Sequence, residues 1–530
     1  MPHASAISRS DVRRPDDAKS SAATSRISSL RARSSDIGWN ATERGLSGAS
    51  PSCGTAPSCR ARARRSIVAL YTVVTPELIF GSVEADPADE PETGPRRGTN
   101  GSDMSATSEF DGIDFFTDES LYDDPYPYLE YLREEKGPVW IDSRYNMAVV
   151  TGHDEEVEVL RDSDAFSSCN APAGPFPGLP VEVEGDDAGP LIEQYRDQLP
   201  MHEFMITMDR PRHDEYRGLM KRLFTPGRLA ENEDFMWRLA DEQMNGFIDA
   251  GKVEFSASYA SPFAGLVIAD LLGVPGEDMP RFRAWFEAQL HDVGEDTGAV
   301  TGDPLAFFQE SFAGYIEDRR RRPRADVLTH LAEARFSDGT EPDIDTLARE
   351  SSFIFAAGQE TTVRLITFAL RHIAEHPEVQ DLLRHDRSMI PSFLEEMLRL
   401  ESPIKVHFRM ARRTTTLGGV TVRAGMTVML MNGAANRDPR RFEDPSAARP
   451  NRPNAREQLA FSRGAHSCLG QSLARAESRV TMERVLDRMA DIRISEVEHG
   501  PAGARRWEYL PTWLFRGLTA LHLEFTPTGV

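Results

Sequence analysis

The chain has 530 residues, 40% apolar and 27% charged, with no run of 18 or more apolar residues, so it is long enough for one large domain or several small ones and is not expected to span a membrane. Its net charge of −23 is uneven: the first 65 residues carry 12 Lys/Arg against 5 Asp/Glu, leaving −30 on an acidic remainder that repels phosphate backbones and anionic lipid and speaks against nucleic acid as a partner. Four cysteines, Cys53, Cys59, Cys169 and Cys468, are too few and too scattered for a disulfide framework and point to a reducing, cytoplasmic compartment.

Residues 1–103 are rich in Ser, Arg, Ala, Gly and Pro without apolar periodicity, and read as a disordered N-terminal extension. A targeting segment, a functional tail and upstream sequence from a misplaced start all share this texture. Asp11, Asp16 and Asp17 speak against a transit peptide, and Met104 is the preferred true start, with 104–530 as a single domain. From there Asp124 to Lys136 has the cap, prolines and spacing of a helix, Val139 to Thr151 alternates like a strand pair, and Gly152 to Arg161 reads as a helix. Residues 163–205 are Gly/Pro-punctuated, far longer than an ordinary connection, and read as a lid. Long helical stretches follow to about Glu401, with strands at Val420 to Met431 and Leu521 to Phe525, so the expected fold class is mainly α with small β-sheets (α+β).

Asp343 to Glu375 contains no proline and, at about 33 residues, predicts a helix of roughly 50 Å. Its middle reads Ala356-Ala357-Gly358-Gln359-Glu360-Thr361-Thr362. A helical glycine costs about 1 kcal/mol relative to alanine, and Thr361 can return its hydroxyl to the Ala357 carbonyl, so one turn is loosened enough to admit a ligand. A patch of small residues under a crossing helix would look the same. Further on, Glu396 and Arg399 share a helix face at i and i+3, which on a surface is worth only a few tenths of a kcal/mol.

The segment Phe461-Ser-Arg-Gly464-Ala-His466-Ser-Cys468-Leu-Gly470 sets a lone cysteine between glycines just before a helix, Gln471 to Met489. Backbone N–H groups and the helix N-terminus favour a thiolate there, although a small buried apolar residue is the commonest fate of a free cysteine. As a ten-residue pattern it resembles the haem-binding loop of the cytochrome P-450 family, with Ser462 where that family usually has glycine. The motifs His213-x-x-x-Arg217, Ala357-Gly-x-Glu360-Thr361, Glu396-x-x-Arg399 and the cysteine loop follow in the family's order, and the similarity runs from about Phe115 to the C-terminus.

The resemblance implies that family's mainly helical fold, with haem b between the long helix and the helix after the cysteine. It implies Cys468 as the axial iron ligand, donating electron density that assists O–O cleavage. His213, Arg217, Arg409 and His466 would bind the cofactor with Phe461, Gly464, Gly470 and Ala357, the arginines meeting the propionates. Glu360 and Thr361 would relay protons to bound O2. Arg452 would join Glu396 and Arg399 as structural support, with Ala448 and Gln458 standing where an aromatic and a histidine are usual.

By the same resemblance the chain is a monooxygenase, expected to be monomeric, that hydroxylates a small hydrophobic substrate, with a sterol or steroid ranked first and a terpene, fatty acid or aromatic after it. Electrons would come from a ferredoxin and a flavoprotein reductase, to which Lys221, Arg222, Arg463 and Arg475 are candidate docking charges. The pocket would be lined by the 163–205 loop, Ala356, Ala357, Ile404 to Phe408 and Tyr509 to Thr512. A peroxide-driven peroxygenase or isomerase is a second reading, disfavoured by the intact Glu360–Thr361 pair. A non-catalytic haem gas sensor is a third, disfavoured because the first 103 residues do not resemble an output domain.

Overall fold

The computed structural model describes residues 110, 112–171, 178–291 and 305–529, so the expectations for residues 1–103 and for Met104 lie outside the described residues. The first described elements are helix α1 (Tyr126–Lys136) and the antiparallel hairpin of β1 (Val139–Asp142) and β2 (Met147–Val150), then α2 (His153–Arg161) and β3 (Phe166–Ser167). The helical part follows as α3 (Arg212–Lys221), α4 (Pro226–Asn245), β4 (Lys252–Glu254), α5 (Ser261–Leu271), α6 (Met279–His291), α7 (Ala306–Arg321) and the 32-residue α8 (Ile344–Glu375). Next come α9 (Pro377–His385), α10 (Ile390–Leu400), β5 (His407–Ala411), β6 (Thr415–Leu417), β7 (Val420–Val422) and β8 (Thr427–Leu430). The chain closes with α11 (Gln471–Arg488), β9 (Met489–Ile494) and β10 (His522–Pro527). The architecture is mainly helical with small sheets, as the sequence predicts.

Local chemistry explains the long helix. The Asp343 side chain accepts from Thr346 N at 2.6 Å and caps its start, and Pro377 lies just beyond its end, where the residue before a proline leaves the helical region. Its buried residues, among them Leu347, Phe355, Leu365, Phe368 and Ile373, recur around most of the surface, as a helix running through a core requires. Helices α5, α7 and α11 pack on it. A five-stranded sheet orders β1-β2-β8-β5-β3, with β2 and β8 parallel and the other pairs antiparallel; β4-β10-β9 and β6-β7 form two smaller sheets. Among the described residues no helix is long and apolar enough to cross a membrane.

The 163–205 stretch differs from the expected lid. Residues 172–177 lie outside the described residues, but the rest holds a helix, Gly189–Gln194, and a 3₁₀ turn, Arg196–Gln198. Arg196 pins it by donating to Asp209 Oδ2 at 2.8 Å and to the Thr207 carbonyl at 3.1 Å, and Met205 N in the adjoining segment donates to Glu350 on α8 at 2.8 Å. A buried ion pair and an anchor on the central helix tie down the part from Arg196 to Met205, while residues 180–187 remain exposed apart from Val183.

Candidate functional site

Cys468 stands between the 3₁₀ turn Gly464–His466 and the start of α11, and its N–H donates to the Phe461 carbonyl at 2.8 Å, closing the loop under the sulfur. Phe461 is buried, with the Arg475 guanidinium 4.6 Å from its ring centroid. Ser462 adopts φ +56°, the left-handed region that explains a glycine preference there. Gly464 has φ +69°, and a Cβ on it would lie 2.1 Å from the Leu160 carbonyl oxygen of α2. Gly464→Ala is therefore expected to lose about 2–4 kcal/mol, combining a left-handed alanine with a backbone clash, as read by denaturant unfolding.

Burial holds the Cys468 thiol above its ordinary range, opposed by the N–H groups of Gly470 and Gln471 and by Arg217 and Arg475. The loop's N–H groups thus oppose the cost of burial, and a bound cation would add to their pull toward the thiolate.

Around the sulfur the structure gathers the predicted basic residues. The His213 and His466 rings lie 4.0 Å apart, Arg217 donates to the Ser467 carbonyl at 2.7 Å, and Arg409 projects from β5. Burial pulls the pKa of both imidazoles down, that of His466 further under the influence of Arg409, His213 and Arg217, so they are neutral at pH 7. Among the described residues neither Arg217 nor Arg409 has an ion-pair partner. Of the two imidazoles, His213 already meets Asp214 at 3.0 Å, so it is the two guanidiniums beside the cysteine, without carboxylates of their own among the described residues, that suit a ligand bringing its own anionic groups and a soft-ligated metal.

Opposite stands the middle of α8. Ala357 is exposed although Phe355 and Gln359 beside it are buried, so the packing on this helix is interrupted at this residue. Thr361 Oγ1 donates to the Ala357 carbonyl at 2.8 Å, as anticipated. Glu360 accepts from Arg364 at 2.7 Å, and burial raises its carboxyl above the usual range against the pull of that arginine. A helix crossing occurs here too: a Cβ on Gly358 would meet Ile268 of α5 at 3.3 Å, and Gln359 donates to Ser261 at 3.0 Å.

Glu396 and Arg399 are both 0% exposed and joined at 2.8 Å, and Arg452 Nε completes the group at 2.9 Å. Gln458 is fully buried and donates to Glu395 Oε2 at 3.1 Å. Two expectations fail on packing. Phe408 is fully buried against Trp513 and Phe116, and Lys405 is tied to the Thr512 carbonyl at 2.7 Å, so these residues of the expected pocket lining serve the core. Of the four docking charges only Lys221 and Arg222 are exposed; Arg475 pairs with Glu395 at 2.5 Å, and Arg463 donates to the carbonyls of Ser462, Arg456 and Gln458.

Sequence reasoning missed three buried acids. Glu477 on α11 faces Thr362, and burial raises its carboxyl well above the usual range. Glu350 on α8 holds the Met205 N–H, and burial pushes it up to about 7. Glu156 on α2 is the third. The signal was available in each: an acid at a position whose helical neighbours, such as Val159 and Leu160 or Leu473 and Val480, form the buried face.

Comparisons with known proteins agree with one another. The family model described as Cytochrome P450 matches residues 305–490. Cytochrome P450 144 of Mycobacterium tuberculosis is 30% identical over 419 residues, 78% of this chain and 91% of that protein. The substrate-free structure of cytochrome P450 CYP150A6 from Mycobacterium marinum is 51% identical with a TM-score of 0.74, covering 79% of this chain and all of that one. CYP109E1 from Bacillus megaterium, solved in complex with testosterone, is 25% identical with a TM-score of 0.61, covering 76% of this chain and 99% of that one.

Proposed function

The chain belongs to the cytochrome P450 family and is a monooxygenase that binds haem b through a cysteine thiolate; we propose that Cys468 is that ligand and that its substrate is a steroid-sized apolar molecule. The observation that carries the reading is the Cys468 sulfur at the start of α11, with Arg217 on the cysteine loop and neither Arg217 nor Arg409 holding an ion-pair partner among the described residues. When bound, the haem supplies the activation of O2 and the insertion of one oxygen atom into substrate.

The residues around it divide the remaining work. Arg217 and Arg409, with His213 and His466 neutral beside them, hold the two propionates; guanidiniums keep their charge when buried, so the grip persists across the working pH range. Ala357, small and exposed on α8, would leave room for O2 beside the bound haem. The Thr361 hydroxyl, which donates to the Ala357 carbonyl, would serve as a proton donor for the oxygen chemistry that the haem supplies. Glu360, paired with Arg364, refills that hydroxyl from the far side of the turn. Thr361→Ala is expected to leave haem content unchanged while product formed per electron consumed falls several-fold; unchanged coupling removes Thr361 from the relay.

The donor is a ferredoxin served by a flavoprotein reductase. Exposed Lys221 and Arg222 lie at the end of α3, the helix whose Arg217 touches the cysteine loop, and attract an acidic partner. The chain works in the cytoplasm, in keeping with its cysteine usage. The steroid ranking rests on the similarity to CYP109E1 and on the apolar surroundings of Ala356. Titration of the oxidised protein with testosterone is expected to move the Soret band toward the high-spin position. A shift with palmitoleic acid and none with testosterone replaces the steroid by a fatty acid.

A further inference from the structure

Glu156 occupies the buried face of α2, with no exposure and no hydrogen-bond partner for either carboxylate oxygen. An ionised carboxylate in such a place costs several kcal/mol unless paired, and an acid of this length can usually reach a donor. Two guanidiniums influence it, those of Arg409 and Arg463, yet neither comes within ion-pair distance. Arg463 is occupied by three backbone carbonyls. Arg409 is 5% exposed, and the only hydrogen bond of its guanidinium among the described residues goes to the Phe408 carbonyl beside it in β5. A buried acid and a buried guanidinium thus stand near one another with neither satisfied by the other.

We propose that Glu156 is a positioning residue for Arg409: as a neutral acid it leaves the guanidinium free for a haem propionate, and as a carboxylate it draws that guanidinium back and makes the iron harder to reduce. The inference rests on the assignment of Arg409 to a propionate. Charge balance supports it. Two propionates are matched by Arg217 and Arg409, and the buried Asp209 by Arg196 and Arg412, so Glu156 is a carboxylate in excess and keeps its proton. Burial pushes the Glu156 carboxyl up to about 8, against the opposing pull of Arg409 and Arg463.

The other charged groups around it are committed elsewhere. On its own helix Glu155 pairs with Arg440, and the His153 ring meets the Glu457 carbonyl. Asp438 accepts from His153 N and pairs with Arg440. His466 in the cysteine loop and His407 on β5 are both held neutral, chiefly by burial. Glu156 is therefore the group in this cluster whose charge changes just above neutrality.

The sign follows from electrostatics. A carboxylate near the porphyrin disfavours the added electron, so the potential falls as pH rises through the acid's titration. Above that pH, reduction takes one electron from the mediator to the iron and up to one proton from solvent to the Glu156 carboxylate. The interior then gains little net charge.

The test is the ferric/ferrous midpoint potential of the holoenzyme, by spectroelectrochemistry from about pH 6 to about pH 10, spanning the acid's titration. Wild type is expected to show a downward step, a few-fold change in the reduced-to-oxidised ratio at fixed applied potential. Glu156→Gln should hold the acid-side potential throughout, and Glu156→Asp, which keeps the acid, should retain the step. Arg409→Gln, measured in parallel, should change the propionate bending modes in resonance Raman spectra. Superimposable wild-type and Glu156→Gln profiles, or an Asp variant without the step, overturn the role of Glu156 even where Arg409→Gln alters the propionate modes. Propionate modes unchanged in Arg409→Gln overturn the Arg409 assignment itself, and the inference with it.

Discussion

Cys468→Ser is expected to reduce turnover to the background of haem-free protein and to remove the red-shifted Soret band that the reduced protein gives with carbon monoxide. The argument is electrostatic. The loop presents one soft, anionic donor, and nothing nearby replaces it: among the described residues no cluster of His, Cys, Asp or Glu is placed to hold a metal. A serine hydroxyl has a pKa far above that of a thiol and is a hard donor, so even with the cation present the axial ligand loses the electron density that assists O–O cleavage. The fold should survive, because Cys468 N still donates to the Phe461 carbonyl and the glycines are untouched. A variant that keeps the red-shifted band would mean that another sulfur ligates the iron. Cys169, fully buried beside Met410 and with its thiol pushed up to about 11, chiefly by burial, is a poor candidate.

Glu396→Ala is expected to cost about 3–5 kcal/mol of folding free energy, a large part of the roughly 5–15 kcal/mol that holds a typical domain together. The carboxylate accepts from Arg399 Nε and Nη2, from Arg452 Nε and from the Arg449 N–H, while the two guanidiniums donate onward to the carbonyls of Asn436, Glu443, Asp444, Pro445 and Ala447. Removing the acid leaves two positive charges in the interior with only carbonyl partners, and unclamps α10 from residues 436–452, the approach to the cysteine loop. Burial pushes the Glu396 carboxyl up, but the two arginines prevail and hold it below the usual range. A depressed carboxylate contributes stability above its unfolded pKa and loses it as pH falls through the folded value. The gap between wild type and variant in urea melts should thus be full at neutral pH and close in acid, below the ordinary carboxylate range of about 4. A gap under about 1 kcal/mol at neutral pH would mean that the interior rearranges to shed the charges.

What the sequence made legible was local chemistry. The cysteine loop and α8 were readable because their signals sit within a few residues: glycines around Cys468, an Asp343 cap, and Thr361 four residues from the Ala357 carbonyl. The β1–β2 hairpin and α2 followed from periodicity alone. What failed depends on partners far along the chain. The 163–205 stretch looks loose until Arg196 meets Asp209 and Met205 meets Glu350, 145 residues away. Arg475 looks like a surface charge until Glu395, 80 residues earlier, takes it. Glu156 reads as one more acid in an acidic helix, and only its place against β5 and the cysteine loop shows that it is shut away from water.

The parallel pairing of β2 with β8 fixes an order of events during synthesis. Val150 leaves the ribosome roughly 280 residues before its partner Leu430, which at about 5–20 residues per second is a wait of roughly 15–55 seconds. Through that interval Met147, Ala148, Val149 and Val150, all buried in the finished protein, form one edge of a two-stranded ribbon with nothing beside it, the arrangement most prone to pairing with a neighbouring nascent chain. The sheet that carries Arg409 therefore cannot close until β8, ending at Leu430, has been made. A polysome crowded with such ribbons makes the rate of translation, as much as the stability of the finished fold, a determinant of how much protein is recovered.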